Sequence, residues 1–82
     1  MQTFDETKAA IASMRMADPS VGRLIYHFFL KHAPQTPATT EAFDAYKAFE
    51  RVLIQKAPDE EIDRLRAQAL SSLETAQQRS RI

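Results

Sequence analysis

The chain has 82 residues, 11 basic and 11 acidic side chains, one glycine, four prolines and no cysteine. A chain of that size suits a single helical domain over residues 1–82, and the missing cysteine removes both a disulfide framework and a thiolate zinc site. No stretch approaches the roughly 18 uninterrupted apolar residues of a membrane span, and zero net charge is unlike the basic excess by which nucleic-acid binders neutralise phosphate.

The first helix is expected over residues 4–16. Thr3 can cap it, with Glu6 three residues on, which is capping-box spacing. Asp5 and Glu6 stand at the positive end of its dipole. Phe4, Thr7, Ile11 and Met14 share one face, flanked by Ala10.

The second helix is expected over 19–32. Asp18 precedes Pro19, the order of an N-cap and a first helical proline. Gly22 sits in the first turn, where its cost of about 1 kcal/mol against alanine can be offset by close packing. Pro34 ends the helix, because the residue before a proline is driven out of the helical region. Residues 33–40 read as a stiff linker with two prolines, too long for the tight joint of a helix-turn-helix motif.

The third helix is expected over 41–57, capped by Thr39 or Thr40, and the fourth over 59–78. Asp59, Glu60 and Glu61 open the fourth and Arg79 and Arg81 follow it, so both ends complement the dipole. Glu60 and Arg64 stand four apart in the favourable orientation. Residues 77–82 are expected to fray. With no sustained strand alternation, the fold class is all-α, a compact four-helix domain.

The faces differ at 100° per residue. The fourth helix has a narrow stripe of Ile62, Leu65, Ala69, Leu73 and Ala76, with Leu70 to one side. The third has a broad face of Ala42, Ala45, Tyr46, Phe49, Val52, Leu53 and Ala57, with Phe43 and Ile54 on its shoulder. The second is apolar nearly all round. Val21, Leu24, Ile25, Phe28 and Phe29 define one side; Tyr26 and Leu30 lie on the other, among Arg23, His27 and Lys31. Two arrangements fit: the second helix is the buried centre of the bundle, or Tyr26 and Leu30 face outward toward another chain.

Other motifs carry little chemistry. His27 and His32 are five apart, about 140° on an α-helical wheel, so they do not form the i,i+4 pair of a zinc-binding helix. The acids Asp59, Glu60, Glu61 and Asp63 lack the spacing and glycine of a calcium loop. No serine sits in a nucleophile elbow, and one glycine cannot build a phosphate cradle. Thr36-Pro37 reads as a linker turn. Arg23, His27, Lys31 and Lys47 with Tyr26 form a modest basic patch.

No catalytic residue, metal site or cofactor is expected. The N-terminus, with two acids and no apolar run, does not look like a signal or transit peptide, which points to the cytoplasm. The expected function is binding another protein, as an adaptor, an assembly subunit or an inhibitor of a larger complex such as mobile elements encode. Self-association into a homo-oligomer is expected too. The candidate binding residues are Arg23, Tyr26, His27, Leu30 and Phe43. The alternative is a small regulator that contacts nucleic acid, alone or as a dimer. No membrane partner is expected.

Overall fold

The computed structural model describes residues 3–80. Four helices follow in order: α1 (Phe4–Ser13), α2 (Pro19–His27), α3 (Pro37–Ile54) and α4 (Asp59–Arg79), with a π-helical turn (Phe28–His32) continuing α2. The described chain is 81% helical and contains no strand, so the all-α four-helix expectation holds.

Side-chain caps start the first three helices. The Thr3 hydroxyl accepts from the Glu6 N–H and donates to its carboxylate. Asp18 accepts from the N–H groups of Ser20 and Val21, with Pro19 in the first turn. Thr36 accepts from the Thr39 N–H, again with a proline next in sequence. The third cap moves the start of α3 from the expected 41 to Pro37. Thr36-Pro37 repeats the logic of Asp18-Pro19, and the connection from the π turn shrinks to residues 33–36. A connection of that length is short enough for a helix-turn-helix joint. Glu41 and Asp44, however, stand exposed in the N-terminal half of α3, where a recognition helix meets DNA.

Two helices end earlier than expected. α1 stops at Ser13 rather than 16, because the Ser13 hydroxyl bonds back to the carbonyls of Ala9 and Ala10, and the Met14 carbonyl takes a 2.8 Å bond from Arg66 Nη2. α3 stops at Ile54 rather than 57. Lys56 adopts φ 56°, the Lys56 N–H bonds to Leu53 O, and the Ala57 N–H bonds to Val52 O. That is a Schellman stop built without glycine. α4 runs to Arg79; Gln77, at the start of the expected frayed tail, is buried and bonds to Asp5 and Lys8. Arg81 and Ile82 of that tail lie outside the described residues. Arg64 lies 3.9 Å from Glu61 rather than pairing with Glu60.

The core forms around α3, not α2. Ala38, Thr39, Ala42, Tyr46, Phe49, Val52 and Leu53 of α3 are all buried. α4 returns antiparallel through residues 55–58 and lays Ala69, Leu73 and Ala76 along α3, the stripe its spacing predicted. α1 adds Thr7 and Ile11 from its expected face and packs mainly on α4. Lys8 of α1 clasps α4 through Glu74 at 2.7 Å and Gln77 at 2.6 Å. The Glu74 bond, aided by Asp5, holds the Lys8 ammonium above its ordinary range. Arg66 binds Asp63 at 2.6 Å and lies over the Phe49 ring.

α2 buries one side only. Ile25 and the π-turn aromatics Phe28 and Phe29 point inward, while Leu24, expected on that side, is 56% exposed. A helix at the rim of a bundle buries a limited arc, and Leu24 stands about 100° from Ile25. The centre-of-bundle reading of this helix is thus corrected.

Candidate functional site

The inner shoulder of α2 is built around one carboxylate. Tyr26 Oη donates to Glu50 Oε1 at 2.8 Å, and Tyr46 Oη donates to Glu50 Oε2 at 3.1 Å. Gly22 makes room for this arrangement: a Cβ there would stand 3.2 Å from Glu50 Oε2 and 3.6 Å from Tyr46 Oη. The close packing expected at the only glycine is therefore present. The Tyr26 ring meets Phe43 edge-on at 5.3 Å and Tyr46 at 5.8 Å, and Phe43 stacks on Phe29 at 4.8 Å. Burial, reinforced by the Glu50 carboxylate, pushes the Tyr26 phenol up to about 12. The fully buried Tyr46 is driven higher still by the same causes.

Of the five candidate residues, Arg23, His27 and Leu30 are exposed, with Leu30 at 61%. Tyr26 and Phe43 touch each other, and both are half-buried and packed on the core. Tyr26 faces neither fully in nor fully out; its ring is a wedge between α2 and α3, and its hydroxyl is held. Sequence reasoning missed Leu24, which shares the outer face, and Glu50, which fixes the tyrosines. The signal for Glu50 was the lone glycine, which marks a close approach but does not name what approaches.

Beyond its first turn, the outward residues of α2 and the π turn are Arg23, Leu24, His27, Leu30, Lys31 and His32. Two leucines thus stand among two cations and two imidazoles. No acidic residue occurs from Pro19 to Thr40, although the whole chain carries 11. The neutral total conceals a locally basic surface.

The π turn changes the histidine geometry. Its i→i+5 closure, from the Ala33 N–H to Phe28 O at 2.8 Å, adds one residue to the turn. His27 and His32 would diverge on an α-helix; here their ring centroids lie 4.9 Å apart at 72°. The wheel argument that separated them is overturned, because it assumed 3.6 residues per turn. Among the described residues no group of three or more His, Asp or Glu side chains converges on a metal position, the acidic start of α4 included.

A second apolar feature lies at the opposite turns. Met16, Ile54, Lys56, Ala57 and Ile62 line an open groove of about 670 Å³ between the α1–α2 connection and the α3–α4 turn. Met16 and Ile54 are among the most exposed large apolar residues described. No described helix is long and apolar enough to cross a membrane. Comparison with family models, curated proteins and solved structures finds no match for this chain.

Proposed function

We propose that the chain is a small non-enzymatic helical module that binds another protein through the outer face of α2 and its π turn. The segment it takes is amphipathic and acidic. One observation carries this reading: Leu24 and Leu30, each more than half exposed, share a segment with the exposed Arg23, His27, Lys31 and His32, and that segment, Pro19 to Thr40, contains no acid. Exposed leucines gain from burial in a partner, at about 25 cal/mol per Å² of apolar area. The surrounding cations select carboxylates and speed encounter. Such a module serves as an adaptor, an assembly subunit or an inhibitor of a larger complex. A nucleic-acid partner is supported less well. The aromatic ring that would stack a base, Tyr26, is wedged against Phe43 and Tyr46, and its hydroxyl is taken by Glu50.

The test is a photo-reactive amino acid at position 30, activated in the native host, with the joined peptides sequenced. A joined segment with apolar residues flanked by Asp or Glu, lost when Arg23→Glu and Lys31→Glu are added, supports the reading. Joining to nucleic acid, to a second copy of the chain, or to nothing overturns it.

A further inference from the structure

We propose that His27 and His32 form a two-imidazole chelate for a divalent late-transition-metal ion of the zinc or nickel class. The inference concerns the chain alone and does not depend on the protein-binding reading.

Three observations carry it. First, the π register brings the two rings into edge-to-face contact at 4.9 Å, on a backbone segment that an α-helical register would open out. The turn closes the C-terminal end of α2, and its added residue re-aims the side chains carried there. Second, that backbone is anchored. Phe28 and Phe29 are buried directly between the two histidines in sequence, and Ala33 leaves the turn in extended geometry ahead of Pro34. The backbone that carries the pair is therefore fixed without help from the ion. Third, both imidazoles are exposed, so an ion can enter with part of its water shell and the rings can turn their nitrogens toward it.

The chemistry also fixes the class of ion. Imidazole nitrogen suits zinc and nickel, whereas calcium and magnesium need oxygen ligands. Residues 19–40 supply no carboxylate, and no third protein ligand converges on the pair among the described residues. Water fills the remaining positions. Arg23 and Lys31 on the same face oppose a dication, so binding is tighter at high ionic strength than at low.

The experiment is calorimetric titration of the intact protein with zinc and with nickel at neutral pH, in a buffer that does not bind metal. These are the only two histidines in the chain, so their imidazole C–H resonances give a direct second readout. The expected result is one ion per chain at sub-millimolar metal, with both imidazoles shifting together. His27→Ala and His32→Ala each weaken binding at least about tenfold while leaving the circular dichroism spectrum intact, because both side chains are exposed. The proposal is overturned if sub-millimolar metal produces neither heat nor imidazole shifts. It is equally overturned if each single variant retains the wild-type affinity, which would mean two independent surface imidazoles.

Discussion

The α3–α4 hairpin and the α2–π segment draw on similar apolar residues and use them in opposite ways. In the hairpin the two stripes cover each other, and most of their large side chains end buried or half-buried, with Ile54 as the exposed exception at the turn. In α2 and its π turn, Ile25, Phe28 and Phe29 go inward while Leu24 and Leu30 stay in solvent. The hairpin keeps regular helical geometry; the α2 segment departs from it. Apolar residues covered from within explain the fold. Leu24 and Leu30, left outside beside an irregular turn in a segment without acids, are the residues on which the proposed partner site rests.

The contrast breaks most visibly under truncation. Phe49→Ala removes a fully buried ring from α3 and is expected to cost about 3–5 kcal/mol, against less than about 1 kcal/mol for Leu30→Ala. Urea denaturation of both variants compares them directly, and equal costs would erase the distinction.

Next in size is the carboxylate between the two regions. Glu50→Ala leaves the buried Tyr46 hydroxyl without its acceptor, at an expected cost of about 1–3 kcal/mol. The same contact sets an alkaline limit. Both phenols have folded values raised above the usual 10, so the folded state keeps protons that the unfolded state has released. Their stabilisation is complete below about pH 10 and is lost as pH rises through about 12. Absorbance at 295 nm reads only tyrosine ionisation here, as the chain has two tyrosines and no tryptophan. It should rise together with loss of helix. A tyrosine titrating near 10 in the folded protein would show that the shoulder is open.

Smaller effects sharpen the picture. Lys56→Gly relieves the left-handed residue that stops α3 and should stabilise by about 0.5–1 kcal/mol in a denaturation midpoint. Gly22→Ala is expected to change little. Its helix-propensity gain of about 1 kcal/mol is cancelled by the approach to a Glu50 carboxylate that two hydroxyls hold in place. In a Glu50→Ala background the gain should appear; additive behaviour of the two substitutions would show that they are uncoupled.

Much of this architecture was legible before any coordinates. The Thr3 and Asp18 caps, the stripe of α4, and the inward faces of α1 and α3 all follow from spacing that neighbouring helices satisfy. The misses have physical causes. Thr36-Pro37 reads as linker from sequence because another proline, Pro34, stands just before it, although Thr36 caps and Pro37 starts a helix. The wheel puts Leu24 inward because it orders residues around an axis without saying how wide an arc the neighbours cover. The pairing of His27 with His32 was hidden because the wheel presumes one helical pitch, and the π turn changes it. The local basic face was masked by the neutral sum over the whole chain.

If the outer leucines of α2 serve association, as proposed, they contribute little to the fold. The most direct measurement is equilibrium unfolding of the double variant Leu24→Glu, Leu30→Glu, which keeps good helix formers at both positions. The expected unfolding free energy lies within about 1 kcal/mol of the wild type, with an unchanged helical spectrum. A loss approaching that of Phe49→Ala would contradict it, and would return both leucines to the core.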